Sequence, residues 1–313
     1  MSAAAKHWDV ISAGDVFIDL VMTGFAGFPA PGEEAQATAM HRDIGGGAAI
    51  TACGLARLGL RTALVAVVGA ADSSWFRERL ATCGVETSAL ELAETEQTAL
   101  TVSVSTPRDR MFFTYPGANR LLAEMYAHQD FAARLARARH AHMACAPDPD
   151  LLVRIVRALR AAGTTLSLDV GWHETWLRDP RARAVLREVD FFMPNEHEAA
   201  AMTGQTDPET MLRALAAMGL GNVILKLGAN GSAWLRDGAY MHAAPVVVSP
   251  VDTTGAGDCF DAGFLYAFLH AAAPLSCLRA GNYCGAQSTL AAGGLAGFPS
   301  PGALRSFMAN LAA

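Results

Sequence analysis

Lysine is nearly absent from this 313-residue chain, which contains only Lys6 and Lys226. Neither lysine follows glycine and precedes serine or threonine, as the phosphate-binding loop of P-loop NTPases requires, so that class is excluded. The D-F-G element of protein kinases is missing as well. No G-x-G-x-x-G motif follows the first apolar run, which argues against a dinucleotide-binding dehydrogenase.

Cysteine and charge are also scarce. The six cysteines, at positions 53, 83, 145, 259, 277 and 284, form no C-x-x-C pair, so we expect buried thiols and no zinc or redox centre. Charged residues make up 17% of the chain and hydrophobic residues 52%, which indicates a folded chain with a large apolar core. The net charge is −6 and no basic run occurs, so nucleic acid and anionic membrane are not expected partners.

No apolar run is long enough to predict a membrane span. The longest one without a charge, residues 262–278, carries His270 and Pro274, and we expect a buried core helix there. The first ten residues, MSAAAKHWDV, contain no apolar core of the kind that signal peptides have. The expected location is therefore the cytoplasm.

Strand-like and helix-like segments alternate along most of the chain. Predicted strands are 10–14, 62–68, 142–145, 165–169, 191–193, 223–227 and 233–235, and predicted helices are 48–58, 73–83, 150–162, 180–188, 196–203 and 208–218. This alternation predicts a parallel sheet with right-handed crossovers. Two hairpin-like segments, 15–42 and 98–118, do not fit it. We expect them to form a small β-sheet lid, with a turn at residues 107–110, over a core made of 1–14, 43–97 and 119–313.

The segment from Asp252 to Phe264 reads D-T-T-G-A-G-D-C-F-D-A-G-F. It is a loop of small residues that leads into a long apolar helix. Gly255, Ala256 and Gly257 allow backbone amides to approach a ligand closely, and the start of a helix attracts phosphate oxygens. Asp258 at this point is suited to take a proton from an attacking hydroxyl. The simpler alternative is that Asp258 only caps the helix.

This segment is similar to the C-terminal signature of the PfkB/ribokinase family of carbohydrate kinases, and the resemblance extends over nearly the whole chain. It implies an α/β fold, with a three-layer αβα ribokinase-like (Rossmann-like) core and a small β-sheet lid. It also implies an ATP-dependent sugar kinase. In this interpretation Asp258 is the catalytic base, and the amides of Gly255, Ala256 and Gly257 stabilise charge on the transferred phosphoryl group.

The resemblance also assigns a substrate site. Gly14 to Asp19 looks like the first strand of the family with its sugar-binding aspartate, so Asp19 is expected to bind substrate hydroxyls. A glycine signature is matched by Gly45, Gly46 and Gly47, whose amides are expected to contact the substrate. Two positions depart from the family pattern: Ile50 stands where the family usually has asparagine, and Phe17 stands where ribokinase-like members have asparagine. Ribose itself is therefore in doubt.

Nucleotide and metal sites follow from further matches. Asn195 and Glu198 match an N-x-x-E element that is expected to hold Mg²⁺ through water; the alternative is an exposed helix start with Asn195 as its cap. Lys226 and Gly228 resemble a strand end beside the nucleotide phosphates, with a plain surface lysine as the alternative. Three further positions are expected to line the nucleotide or a K⁺ ion: Asn282 on the adenine side, and Asp252 and Thr254 at the K⁺ site.

Two alternatives to a sugar kinase remain open at this point. A nucleoside kinase of the same fold would use the same residues, and the aromatic residues Phe112, Phe113 and Tyr115 of the lid could stack on a base. A non-catalytic sugar sensor on the same scaffold would not need the base or the metal element. Exposed edges of the lid sheet would be protected by pairing between two subunits, so we expect a homodimer.

Overall fold

The computed structural model describes residues 6–105, 110–171 and 173–310. Residues 107–109 of the predicted hairpin turn lie outside these ranges. The strands in the described ranges are β1 (Trp8–Gly14), β2 (Phe17–Thr23), β3 (Ala39–Gly45), β4 (Thr62–Val65), β5 (Val67–Gly69), β6 (Glu91–Ala93), β7 (Leu100–Ser105), β8 (Arg110–Tyr115), β9 (Ala138–Ala144), β10 (Thr165–Leu168), β11 (Phe191–Phe192), β12 (Ile224–Lys226), β13 (Ser232–Arg236) and β14 (Ala239–Ala243). The helices are α1 (Gly47–Arg57), α2 (Ser73–Ala81), α3 (Leu122–Ala127), α4 (Phe131–Leu135), α5 (Pro149–Ala161), α6 (Glu174–Arg178), α7 (Pro180–Leu186), α8 (Glu196–Thr203), α9 (Pro208–Ala217), α10 (Ala256–Leu269), α11 (Pro274–Ser288) and α12 (Pro301–Asn310).

The central sheet is parallel and has the strand order β11-β10-β9-β1-β4. Single parallel bridges from Phe192 to Val223 and from Asn195 to Lys226 place β12 beside β11. Beyond β12 the direction changes, since β12, β13 and β14 are mutually antiparallel. The expectation that 233–235 would be another parallel strand is therefore wrong. The loop from β12 to β13 is too short for a parallel crossover, which needs about a dozen residues or more.

Helices cover both faces of this sheet, which gives the three-layer αβα arrangement that the sequence predicts. Successive residues of β1 point to opposite faces: Val10 belongs to the apolar cluster that includes residues of α1, α10 and α11, whereas Ile11 belongs to the cluster that includes residues of α3, α4 and α5. Both residues are buried, as expected of a parallel strand covered on both sides. The carboxyl ends of β1, β9 and β10 meet at one edge of the sheet, where open α/β sheets bind ligands.

A separate four-stranded sheet, the lid, has the order β3-β2-β7-β8. Its strands fall in the two segments for which the lid is predicted, except that β3 continues past residue 42 to Gly45. In its register Asp19 lies opposite Asp43 on β3 and opposite Thr101 on β7, so these three residues share one face. Two residues after β3 ends, α1 begins at Gly47, which ties the lid directly to the core.

Two predicted elements are each divided in the structure. The predicted strand 62–68 forms β4 and β5, because β4 pairs with β1 whereas β5 pairs with β6. The predicted helix across 262–278 is interrupted between Leu269 and Pro274. Ala271 adopts a φ of 55° there, and a proline is favoured in the first turn of the helix that follows. In the described part of the chain, neither half nor any other helix has the length and apolar character needed to cross a bilayer.

Candidate active site

The start of α10 forms one wall of an open cleft. The residue that caps the helix is Gly255, with a left-handed φ of 69°, and Asp258 belongs to the first helical turn. The alternative in which Asp258 itself caps the helix is therefore wrong. A side chain at position 255 would also collide with Ile50, because a Cβ there would lie 2.7 Å from Ile50 Cδ1. The glycine thus fits a tight, left-handed start to this helix.

The glycine triplet at the junction of lid and core brings the predicted base and the predicted substrate carboxylate to one place. A Cβ at Gly45 would collide with the carboxylate of Asp19. At Gly47 it would lie 2.9 Å from Asp258 Oδ1. Gly46, between them, has a φ of 92° and leaves only 2.5 Å between such a Cβ and the carbonyl oxygen of Asp15. The three glycines keep this strip of backbone bare, so that carboxylates can lie against it.

Asp15 is a member of the site that the sequence analysis missed. Its Oδ1 lies 3.6 Å from the Cβ position of Gly47, and this buried oxygen has no hydrogen-bond partner among the described residues. An unpaired buried polar atom calls for an explanation, and a ligand that completes the site is one. Asp15 could have been predicted from its position directly after β1, because the parallel strands end at the edge of the sheet where ligands bind.

Burial and mutual repulsion of these carboxylates shift their titration. Burial, followed by the charge of Asp169, raises the pKa of Asp258 to about 8. Burial and the neighbouring Asp43 raise the pKa of Asp19 to about 7. The pKa of Asp15 is raised to about 6, again chiefly by burial. A carboxylate with a pKa near the working pH is suited to general base catalysis.

Lys226 lies next to the same helix start but is engaged by two acids. Its Nζ lies 2.5 Å from Asp169 Oδ2 and 3.3 Å from each carboxylate oxygen of Asp261. All three residues are buried, so the alternative of a surface lysine is wrong. Burial lowers the pKa of Lys226, but the two carboxylates outweigh burial and raise it.

Asn195 and Glu198 form a reciprocal capping box at the start of α8. Asn195 Oδ1 accepts a hydrogen bond from the Glu198 backbone N–H, and Glu198 Oε2 accepts one from the Asn195 N–H. The helix-cap interpretation of Asn195 is thus what the structure shows. The cap alone does not explain why Glu198 is only 2% exposed, because the hydrogen bonds of a capping box do not require a buried glutamate. Burial and then the charge of Asp169 raise the pKa of Glu198 to about 7.

The cleft beside α10 has a volume of about 340 Å³. Five residues that the sequence assigns to the nucleotide or the phosphoryl group line it: Lys226, Gly228, Ala256, Gly257 and Asn282. The rest of the lining is largely apolar and includes Pro245, Val246, Val248, Pro250 and Phe260. Asn282 donates its side-chain N–H groups to the carbonyl oxygens of Ala243 and Ala244. These two bonds fix the amide orientation at the foot of the loop that follows β14.

Two other residues that the sequence singles out, Asp252 and Ile50, make contacts that hold the loop and helix start in place. Asp252 Oδ1 accepts hydrogen bonds from the N–H and hydroxyl of Thr254, and its Oδ2 accepts one from the Gly293 N–H. Asp252 thereby joins the loop before α10 to the loop after α11. Ile50 is buried, and its side-chain carbons lie against Gly255 and Gly294, so this apolar side chain packs against the helix start.

Comparison with known proteins identifies relatives of the chain. The chain matches the pfkB family carbohydrate kinase model over residues 7–301. It is 30% identical to a nucleoside kinase of Methanothermobacter thermautotrophicus over 274 residues, which cover 87% of this chain and 86% of that protein.

Solved structures show the same fold. Arabidopsis thaliana ribokinase, solved with ribose and ATP, superposes with a TM-score of 0.82 at 23% identity, covering 97% of this chain and 99% of that one. A ribokinase II-type protein of E. coli, solved with ATP and Mg²⁺, has a TM-score of 0.81 at 22% identity, with 97% and 99% coverage. The predicted fold class and family are thereby confirmed: the chain belongs to the pfkB family of carbohydrate kinases, phosphotransferases that act on hydroxyl groups.

Proposed function

We propose that this kinase transfers the γ-phosphoryl group of ATP to a hydroxyl of a small neutral sugar, with Asp258 as the general base. The observation that carries the proposal is the position of Asp258 between two compartments. On one side its carboxylate borders Gly47, and with it the carboxylates of Asp15 and Asp19. On the other side Gly257, the residue before it, lines the cleft. A hydroxyl bound beside Asp19 would thus meet the base and the phosphoryl donor together.

The acceptor side is suited to a polyol. Carboxylates accept hydrogen bonds from two hydroxyls at once, and Asp15 and Asp19 supply two of them beside the amides of Gly45, Gly46 and Gly47. Burial raises the pKa of both residues and neighbouring acids raise it further, so additional negative charge is disfavoured here. An acceptor that carries a phosphate or a carboxylate would add to this repulsion. A neutral sugar is therefore the better fit.

The donor side is suited to ATP. Backbone N–H groups at the start of α10, from Gly255 and Gly257, would face the polyphosphate, and the helix dipole adds to their effect. The Ala256 N–H, which was expected to join them, donates to the carbonyl oxygen of Thr253 3.3 Å away. Gly228 allows close approach on the opposite wall. The apolar loop after β14 and the fixed amide of Asn282 would hold the adenine. The relatives solved with ATP support this placement through their common fold.

The chain also offers oxygen ligands that fit Mg²⁺. Asn195 and Glu198 supply an amide and a carboxylate, and Glu198 carries a raised pKa that a cation would relieve. When bound, Mg²⁺ supplies charge neutralisation at the phosphate oxygens. A K⁺ ion is a further proposal, with Asp252 and Thr254 beside it, because the loop that they join leads directly into α10.

A nucleoside is the second candidate acceptor. The register of the lid places Phe17 and Phe112 on the face that carries Asp19, and Phe112 is 50% exposed. Aromatic rings beside a ribose-binding carboxylate would stack on a base. The similarity to a nucleoside kinase favours the same candidate.

An acceptor panel tests the proposal. ADP release is measured with ribose, fructose, a sugar phosphate, a sugar acid and several nucleosides, and we expect turnover with a neutral compound and little with the anionic ones. Asp19→Asn should raise KM for that acceptor roughly 10- to 100-fold, since a hydrogen bond to a charged group contributes about 1.5–3 kcal/mol. KM for ATP should stay within about 2-fold of the wild-type value. Ligand-induced thermal stabilisation without any ADP release would instead indicate a sensor.

We further propose that the lid mediates a homodimer. One face of its sheet aligns the apolar row Met40, Met22, Val104 and Met111, with Val102 and Phe113 two positions along. Met40 is 64% exposed and Phe113 59%, and both lie on edge strands. Exposed apolar faces and free sheet edges of this kind are usually covered by a partner.

Light scattering after size-exclusion chromatography tests the dimer. The wild type should elute with twice the mass of one chain, and Met111→Lys with Phe113→Glu should convert it to a monomer. Leu92→Glu changes an exposed apolar residue outside the lid and should leave the dimer intact. A monomeric wild type at micromolar concentration would contradict the proposal.

A further inference from the structure

The strongest unassigned feature is the ion cluster beneath the start of α10. Lys226 is 9% exposed, Asp169 is 8% exposed and Asp261 is fully buried. Transferring charges from water into such an environment costs several kcal/mol per ion, and an apolar cluster of similar size is often as stable. The fold alone therefore does not explain why these three residues are charged.

The cluster lies directly behind the base. Asp261 follows Asp258 by one helical turn, so the two side chains emerge on the same side of α10. Carboxylate oxygens of Asp169, Asp258 and Asp261 lie within 4.8 Å of one another. A Cβ at Gly257 would lie 3.5 Å from Lys226 Nζ, so the ammonium group also underlies the residue that precedes the base.

The ionisable groups that face Asp258 come from four parts of the fold: Asp15 and Asp19 from the region of β1 and β2, Asp169 from the end of β10, Lys226 from β12 and Asp261 from α10. Lys226 is the cation in this set. Burial raises the pKa of Asp261, and its side chain shares a hydrogen bond with Asp169. Lys226 therefore has to balance the negative charges that surround the base.

We propose that Lys226, held in place by Asp169 and Asp261, is a positioning residue that favours the proton-accepting form of Asp258, and that it does not bind the nucleotide phosphates. This inference rests on the proposed function, because it concerns the base of that reaction. It replaces the phosphate contact that the family resemblance implies for Lys226.

The hydrogen bonds of Lys226 support this assignment. An ammonium group has three N–H donors, and the two acids present three oxygens to it within 3.3 Å. To reach a phosphate, the ammonium would have to leave Asp169 unpaired in a buried position, which is strongly unfavourable. The charge of Lys226 acts on Asp258 without such a movement.

In the reaction the substrate oxygen forms a bond to the γ-phosphorus, and the bond from that phosphorus to the bridging oxygen breaks, leaving its electron pair on ADP. Asp258 takes the proton of the attacking hydroxyl. Lys226 neither gives nor takes a proton, because its carboxylate partners raise its pKa and keep it charged. Its contribution is electrostatic: an adjacent positive charge favours the ionised form of a carboxylic acid.

The pH dependence of kcat/KM in Lys226→Met tests the proposal. Without the ammonium, Asp258 holds its proton to higher pH. The acidic limb of the profile should therefore move upward by at least about one pH unit, since one nearby charge shifts a carboxylate pKa by about 1–3 units. Turnover at pH 7 should fall about 10-fold or more and recover towards the wild-type value above pH 9. KM for ATP should stay within about 3-fold. The chain's other lysine gives the control: Lys6→Met removes a charge at the opposite end of the sheet and should leave the limb in place.

A rise in KM for ATP of 10-fold or more with an unmoved limb would overturn the proposal, because a phosphate ligand would behave in that way. If Lys226→Met folds poorly, Lys226→Met with Asp261→Asn removes one acid of the cluster together with the lysine and serves for the same profile. Carbon-13 NMR titration of the aspartate carboxyls, assigned through Asp258→Asn, measures the pKa of Asp258 without turnover. An unchanged pKa in the lysine variant would refute the inference. Absence of activity in the wild type would refute only the proposed function.

Discussion

Asp258→Asn is expected to lower kcat at least about 100-fold, which is the usual effect of removing a general base. Asparagine has the size and shape of aspartate, but its amide cannot take the proton of the attacking hydroxyl. Asp258 borders Gly47 on the acceptor side, so a loss of activity in this variant tests whether Asp258 deprotonates the acceptor hydroxyl. Binding should change little, because the amides at the start of α10 are backbone groups and remain in place.

The fold should tolerate this change. Burial, and after it the neighbouring acids, raise the pKa of Asp258 to about 8, so a neutral side chain removes the cost of burying a charge as well as this repulsion. The melting temperature should therefore be unchanged or slightly higher. Asp190→Asn is a matched control. Asp190 lies at the other end of the sheet and accepts a hydrogen bond from the Leu166 N–H. This variant should keep kcat within about 2-fold of the wild-type value. An Asp258→Asn enzyme with near wild-type turnover would show that another group is the base.

The pH dependence gives the same assignment a second readout. A base works only in its ionised form, so activity requires a pH above its pKa. With the pKa of Asp258 raised to about 8 in the free enzyme, kcat/KM for the acceptor should rise through that region as pH increases. The residual activity of Asp258→Asn should lack this rise.

The sequence predicts the parts of this site that are contiguous in the chain. The loop at 252–257, the helix start and Asp258 lie within one short segment, so their chemistry follows from local rules. The glycine triplet is similar, since its position between a strand and a helix indicates a bare backbone. What the sequence does not show is that Gly45 lies against Asp19 and Gly47 against Asp258, because this depends on how the lid joins the core.

The partners of Lys226 illustrate the other limit. Asp169 is 57 positions away from Lys226 and Asp261 is 35 positions away, so their contact exists only in the folded chain. From the sequence, a lysine at a strand end beside a phosphate-binding helix indicates a phosphate ligand. The structure places carboxylates around that lysine, and our proposal that it acts on the base and not on the nucleotide starts from this contact. Asp15 was missed for a related reason: its carboxylate becomes a site residue only because the fold brings it next to Gly47 and Asp258.

Removing Mg²⁺ is expected to have the largest effect on turnover. The site contains Asp15, Asp19, Asp169, Asp258 and Glu198 against a single lysine that is already engaged. ATP brings several more negative charges into this environment, so it needs a cation to enter. With the metal chelated, kcat should fall by more than about 1,000-fold, because the cation neutralises charge on the transferred group. Binding of ATP, followed by calorimetry, should weaken at least about 10-fold without the metal.

Glu198→Gln separates the two roles that the capping box leaves open. Glutamine can still accept the hydrogen bond from the Asn195 N–H, so the helix start should be retained and the free energy of unfolding should change by less than about 0.5 kcal/mol. The charge is lost, however, and a carboxylate near a hydrated Mg²⁺ contributes mainly through charge. The Mg²⁺ concentration at half-maximal rate should therefore rise about 5- to 10-fold, a difference of about 1 kcal/mol. An unchanged Mg²⁺ requirement would mean that Glu198 acts only as a helix cap. Burial at 2% exposure favours the metal role, because the hydrogen bond of a cap forms equally well at the surface, whereas a buried carboxylate with a raised pKa gains from a nearby cation.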